Sequence, residues 1–234
     1  MKRLLKTEAF QFIINPSLWA VLGVLLAGGA FSALLGTFDS PAAALRSIET
    51  DGMMLPLALA VYVPLVTGSL SGSLTRRWAA AGFKRSEILA AKLCHLLFGC
   101  AVLLALYPLL TLLATALLQS PDGLAEALTG AVRYSLRAFP LCCGLCGLYF
   151  LLCVLLPTSA AAMGGSIGLT ILIGVFSQRL YENDFGGGLM QYCPMIQLGE
   201  TGFTKAYAAA AVFSVLLLIL CFAVSVFWFN RKEL

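Results

Sequence analysis

Six long and continuously apolar runs constrain this chain more than any other feature. A transmembrane helix needs about 20 consecutive apolar residues, whereas the strands of a membrane barrel alternate polar and apolar residues in segments of about 10. The runs do not alternate, so we predict an all-α integral membrane protein that forms a single transmembrane domain over residues 1–234. Its six predicted spans cover about 17–37, 53–74, 88–118, 134–156, 160–177 and 207–229.

The composition leaves no room for a soluble domain. Charged residues make up 11% of the chain, against roughly 25% in soluble domains. Seven of the eight cysteines lie inside apolar runs, where cysteine behaves as a small hydrophobic residue, so the pattern does not indicate a disulfide framework.

Residues 2–14 carry an apolar stripe from Leu5 to Ile13 at i, i+4, i+7, i+8 spacing, with Lys2 and Lys6 off the stripe. This spacing predicts an amphipathic helix that lies in the membrane surface. A frayed basic leader is the alternative.

The basic residues predict the orientation. With six spans, both termini share a side with 75–87 and 157–159, and the long loop 178–205 lies on the other side. Ten of the 15 basic residues fall on the first side. Cytoplasmic loops are typically enriched in Lys and Arg, so we expect a multi-pass protein of the cell membrane with cytoplasmic termini. The ten are Lys2, Arg3, Lys6, Arg76, Arg77, Lys84, Arg85, Lys92, Arg231 and Lys232.

Two patterns could indicate chemistry, and both favour a structural interpretation. Cys143 and Cys146 form a C-x-x-C, but they lie inside an apolar span without a histidine or second pair, so packing is favoured over a redox or metal site. His95 is the single histidine. An intramembrane serine protease would need a Ser–His pair, and no G-x-S-G context occurs, so an intramembrane enzyme is the weaker alternative and no catalytic or metal-binding residue is assigned.

Arg137 lies near the outer end of the fourth span. An unpaired charge in lipid is costly, so we hypothesise that Arg137 pairs with an acidic residue of the 178–205 loop, Glu200 or Asp184, and seals an outer gate. An ion-driven transporter would be expected to place acidic residues near the midplane, whereas every Asp and Glu here lies in a loop or near the end of a span.

The second span ends in Gly-Ser-Leu-Ser-Gly-Ser-Leu, and the fifth carries Gly164-x-x-x-Gly168. Small residues let helices approach closely, so helix packing is favoured over a wet path, although the serines would suit either. No G-x-x-x-x-G-K-[ST] motif occurs, so the chain has no ATP site of that type and any ATP-driven work requires another polypeptide.

The charged elbow, residues 76–92, joins the second and third spans. Its basic charge follows from topology and anionic lipid alone, but the pattern Ala81-Gly-Phe-Lys-Arg-Ser-Glu-Ile88, leading to Lys92, is more specific. It resembles the x-G-x-[SK]-R-x-x-[IL]-x-x-x-K signature of the ABC-2-type transporter permease family. The six spans, the amphipathic N-terminal helix and the long outer loop also resemble that family, most closely the small bacterial permeases for toxin or antimicrobial peptides.

The resemblance implies an ABC exporter with two copies of this chain, each engaged by a separate cytoplasmic ATPase that holds the ATP and Mg²⁺. Segment 76–87 would be the coupling helix, with Phe83 as the buried anchor. Its contacts to the ATPase would come from Arg76, Arg77, Gly82, Phe83, Lys84, Arg85 and Glu87. The path would lie along the second and fifth spans, at Ser69, Ser71, Ser73, Gly165 and Ser166. Peptides are the expected cargo, lipids or drugs the alternative, and neither a nucleic acid nor a cofactor on this chain is expected.

Overall fold

A computed structural model describes residues 16–35, 38–68, 78, 81–182, 192–200 and 205–231. All regular structure within these ranges is helical. The helices are α1 Pro16–Leu34, α2 Pro41–Thr50, α3 Met54–Thr67, α4 Arg85–Leu118, α5 Leu124–Leu155, α6 Ser159–Glu182, α7 Pro194–Gly199 and α8 Lys205–Arg231.

Five of these helices are long and apolar enough to cross a membrane, namely α1, α4, α5, α6 and α8. The pair α2 and α3 passes the same test only when taken together, and the two helices are bent by 69° at their junction. The described chain therefore has five candidate spans, or six if the bent pair counts as one. This confirms the all-α class and indicates a multi-pass membrane protein.

Local capping marks both ends of α2, at its N-terminus and at the bend before α3. The Ser40 hydroxyl accepts a hydrogen bond from the Ala43 N–H at 3.3 Å, and Pro41 begins α2, an arrangement typical of a helix N-terminus. At the other end, Asp51 Oδ1 accepts from the N–H groups of Met53 and Met54 at 3.1 and 3.2 Å. The structure thus has a short helix between the first two predicted spans, where the sequence analysis predicts no helix.

Helix α5 lies at the centre of the bundle and packs most extensively against α8 and α4. A β carbon on Gly144 would lie 2.9 Å from the Cα of Ser214, and one on Gly147 would lie 2.9 Å from the Cα of Leu218. Glycine at both positions therefore lets the backbones of α5 and α8 approach closely. The connection between α4 and α5 is short, because α4 ends at Leu118 and α5 begins at Leu124. Gly123, just before α5, has a φ of 74°, which favours glycine.

The predicted outer loop 178–205 is partly helical. Helix α6 continues to Glu182, and the short α7 inserts Met195 and Leu198 into the core beside α5, α6 and α8. The predicted surface helix 2–14, Ser69, Ser71, Ser73, Arg76 and Arg77 lie outside the described residues and stay predictions.

Candidate functional site

The described part of the charged elbow is a tight turn that leads into α4. The Phe83 N–H donates to the Trp78 carbonyl at 3.2 Å. Gly82 has φ 83°, in the left-handed region that favours glycine. The Gly82-Phe83 pair therefore lies in the turn that leads directly into α4.

Lys84 caps the start of α4. Its backbone is extended, and its carbonyl accepts from the N–H groups of Glu87 and Ile88 at 3.0 and 3.2 Å. Glu87 lies in the first turn of α4, where a negative charge is favourable beside the helix dipole. Lys84 is exposed, Phe83 and Glu87 are half-buried, and Ile88 is buried. An apolar ring with one charge of each sign is therefore accessible where α4 begins.

Arg85 connects the elbow to the other end of the chain. Its Nη1 donates to the carbonyls of Phe229 and Asn230 in α8, both at 3.1 Å. The last carbonyls of a helix have no partner within the helix, and a cation is favourable there. We call this contact the Arg85 clasp. It fixes the start of α4 to the end of α8 and brings both to the same end of the bundle.

A second basic residue also makes an internal contact. The Lys92 ammonium lies 5.8 Å from the centroid of the Trp78 ring, within the range of a cation–π interaction. Lys92 therefore attaches Trp78, in the first part of the elbow, to α4, and Arg85 attaches the start of α4 to α8. The sequence pattern singles out the charges, but it contains no signal for these partners.

Of the path residues predicted in the fifth span, Gly165 is half-buried and Ser166 is fully buried. A β carbon on Gly165 would lie 3.2 Å from Leu156 Cδ1. Gly164 and Gly168 are exposed, and a β carbon at either would meet no described atom within 4 Å. Among the described residues of one chain, no other helix packs against Gly164 or Gly168.

The residues of the predicted outer gate belong to α5 and to the segment around α7. Arg137 is only 4% exposed, its carbonyl accepts from the Tyr207 hydroxyl at 3.1 Å, and its guanidinium lies 5.9 Å from the Tyr134 ring. Glu200 and Asp51 line a cavity of about 330 Å³ between the α2–α3 bend, α6 and α7. The pairing of Arg137 with Glu200 stays a prediction.

Both patterns considered for chemistry lie in the interior of the bundle. Cys142, Cys143 and Cys146 are buried in α5, and all eight cysteines are free. No group of three or more metal-ligating side chains occurs among the described residues. His95 is buried in α4. Comparison of the chain with protein-family models, curated proteins and solved structures gave no match.

Proposed function

We propose that this chain is the membrane permease subunit of an ATP-driven ABC exporter, as its resemblance to the ABC-2-type family implies. Two copies would form the transport unit, each engaged by a separate ATPase chain. The cargo would be a hydrophobic or amphipathic peptide moved outward across a bacterial cell membrane, and lipid or drug export is the alternative. The chain itself performs no covalent chemistry in this proposal.

The Arg85 clasp is the observation that carries the proposal. A coupling element must be accessible to its partner and must also be attached to the helices that it moves. Lys84 meets the first condition because it is exposed, and Phe83 and Glu87 meet it in part because they are only half-buried. The clasp meets the second, because it joins the elbow to both α4 and α8.

The clasp also changes the roles expected of the elbow residues. Aromatic residues often dominate binding energy at protein interfaces, so Phe83 remains the proposed anchor in a cleft of the ATPase. Lys84 and Glu87 remain available for oppositely charged partners. Arg85 donates to two carbonyls of α8, so we assign it to transmission of the movement and not to ATPase recognition.

The route for that movement follows the packing. A displacement of the elbow acts on α8 through the clasp, and α8 lies against the centre of the bundle through the close contacts at Gly144 and Gly147. Interiors packed at this density transmit displacements well. An ATPase that rotates the elbow would therefore shift α4, α5 and α8 together.

The test is co-expression of the chain with the ATPase encoded beside it, followed by purification of the complex and measurement of ATP hydrolysis. Phe83→Ala is expected to insert normally but to lose the ATPase or to uncouple hydrolysis from transport. Phe213→Ala is the matched control, because Phe213 is 54% exposed on α8, away from the elbow. Absence of a co-purifying ATPase, or full transport by Phe83→Ala, would refute the proposal.

A further inference from the structure

A groove of about 480 Å³ lies between α4 and α5. Nine of its ten lining residues are apolar, and the tenth is Ser135. The volume falls within the range of about 300–1,000 Å³ that small-molecule sites occupy. Val132 and Leu136, which line the groove, are 62% and 71% exposed, so it opens on the outside of the bundle. Because α4 and α5 are both candidate membrane spans, the groove is open to the bilayer.

The groove coincides with a proline-weakened turn in each of the two helices. Pro108 lies inside α4, and Pro140 lies inside α5. A proline has no N–H and its ring crowds the carbonyl four residues earlier, so each helix lacks one backbone hydrogen bond. The carbonyls concerned belong to Leu104 and Leu136, and both of these residues line the groove.

The single polar side chain of the groove already has its partners within the protein. The Ser135 hydroxyl lies 2.7 Å from the Leu104 carbonyl, which Pro108 leaves without its usual donor, and 2.8 Å from the Ala131 carbonyl of its own helix. Polar groups of a peptide or a sugar would lose their bonds to water in such a groove, a cost that a hydrocarbon chain does not incur. The lining therefore favours a hydrocarbon chain.

Two opposite charges lie on the face of α5 that leads into the groove. Glu126, Arg133 and Leu136 are spaced i, i+7, i+10, so they share one face of the helix, and all three are exposed. Neither charged side chain has a hydrogen bond or an ion pair with another described residue. An arginine at the edge of a membrane is costly without an anionic partner, so this face is suited to a ligand that carries charges of both signs.

The positions of these side chains match the depths of the groups in a phospholipid that carries a primary amine. Arg133 follows Glu126 by seven residues, about 10 Å along the helix axis. The head-group layer on either side of the hydrocarbon core is roughly 5–8 Å deep. With Arg133 at the boundary of the hydrocarbon, Glu126 reaches the water side of that layer and Leu136 lies within the hydrocarbon. Amine, phosphate and acyl chain follow one another in the same order.

We propose that the groove between α4 and α5 binds one phospholipid with an ethanolamine head group, as a resident lipid and not as cargo. One acyl chain fills the groove, Arg133 pairs with the phosphate, and Glu126 accepts from the ammonium group. A guanidinium matches a phosphate with two parallel hydrogen bonds. The site is independent of the proposed transport role, because it includes neither the elbow nor the predicted path.

The first arm of the test addresses the head group. Native mass spectrometry of the purified chain in detergent, with dioleoyl phosphatidylethanolamine or dioleoyl phosphatidylglycerol added, gives the dissociation constant of the first lipid adduct. Phosphatidylglycerol keeps the chains and the phosphate but has no amine. We expect wild type to bind the ethanolamine lipid about threefold more tightly, as an exposed ion pair allows, and Glu126→Gln to bind both lipids equally. Equal dissociation constants for wild type would overturn the inference.

The second arm addresses the phosphate. Arg133→Gln is expected to weaken binding of both lipids by about tenfold, and Arg133→Lys by less, because lysine keeps the charge without the planar fork of donors. Arg46→Gln is the matched control, since Arg46 is exposed on α2 and does not line the groove, and it should bind as wild type does. An arginine that only reaches bulk head groups would give equal binding by Arg133→Gln and Arg46→Gln, which would overturn the inference.

The third arm addresses the acyl chain. Ala105 lines the groove and is exposed, so Ala105→Phe fills the groove without disturbing the core, and we expect it to weaken binding of both lipids by about tenfold. Ala208→Phe, at an exposed position of α8, is the control and should bind as wild type does. Unchanged binding by Ala105→Phe would overturn the inference. A lipid-free dimer that Ala105→Phe converts to monomers would also overturn it, because a second copy of the chain would then occupy the groove.

Discussion

Helices α5 and α6 are both apolar and adjacent in sequence, yet their environments are opposite. In the apolar stretch of α5, 67% of the residues are buried, compared with 17% in α6. Gly144 and Gly147 of α5 lie against the backbone of α8, whereas a β carbon on Gly164 or Gly168 of α6 would have no described atom from another part of the chain within 4 Å. The difference teaches that hydropathy marks a span without showing whether protein or lipid surrounds it. It also predicts that the cost of a substitution falls from the centre of the bundle to its periphery.

The largest effect is expected at the α5–α8 contact. Gly144→Leu would place a side chain where the backbone of Ser214 lies, and backbone cannot move aside cheaply. We expect it to destabilise the protein by about 3 kcal/mol or more, the upper part of the range for overpacking. Unfolding in an SDS titration measures this. Gly168→Leu on α6 is the matched control and should cost under about 0.5 kcal/mol; equal losses at the two positions would break the comparison.

A smaller effect is expected at Gly99, between α4 and α3. Gly99→Ala adds a methyl group where the Tyr62 hydroxyl lies, and Tyr62 is buried, so overpacking should cost about 1–3 kcal/mol. The same substitution in a Tyr62→Phe background should cost less, because the overlapping oxygen is absent. Unfolding free energies of the four proteins in this double-mutant cycle give the coupling. A coupling free energy of zero would mean that residue 99 and the Tyr62 hydroxyl are not in contact.

The Arg85 clasp lies at one end of the bundle, where it joins the start of α4 to the end of α8. Arg85→Gln keeps a hydrogen-bond donor but loses the charge at the α8 C-terminus, and a bond to a charged donor is worth about 1.5–3 kcal/mol. Since Arg85 is half-buried, we expect a loss in the lower part of that range. Cysteines introduced at positions 84 and 231 should also crosslink less efficiently in the variant. Lys84→Gln serves as the control, since Lys84 is exposed, and a loss as large as that of Arg85→Gln would contradict the clasp.

The smallest effect is expected at the edge of the elbow. Lys92→Met removes the cation over the Trp78 ring while keeping the length of the side chain, and an exposed cation–π pair is worth about 0.5–1 kcal/mol. Tryptophan fluorescence should report a changed environment for Trp78, with little change in the melting temperature. An unaltered emission spectrum, corrected for the other two tryptophans, would indicate that Lys92 and Trp78 do not interact.

The helices themselves are accessible to sequence reasoning, and their ends are less so. Continuous apolar runs near 88–118 and 207–229 correspond to α4 and α8, because desolvation of a backbone in lipid requires a helix whatever its neighbours are. The 69° bend before α3 lies at Asp51, which accepts from N–H groups at the start of α3, while Ser40 and Pro41 form the N-terminus of α2. Such caps are visible in sequence only after the helix boundaries are known.

The elbow shows the same division. Its charge, its Gly82-Phe83 pair and its entry into a span can be read directly from the chain. The partners of Arg85 and Lys92 cannot be read from the chain. Arg85 binds two carbonyls that lie 144 and 145 residues away, and Lys92 lies over the Trp78 ring only because the elbow folds back on α4. Backbone carbonyls are identical at every position, so no pattern of side chains marks the two that a distant arginine will reach.

The sequence by itself determined the class of this protein, which is all-α, apolar and multi-pass. The reason is that long apolar runs with so few charged residues are stable only as helices in a lipid bilayer. Tertiary structure alone decided which apolar residues face protein and which face lipid. It also decided that the Ser135 hydroxyl of α5 meets the Leu104 carbonyl of α4. The reason is that burial and hydrogen bonding are properties of contacts between helices, whereas the propensity to cross a membrane belongs to each segment on its own.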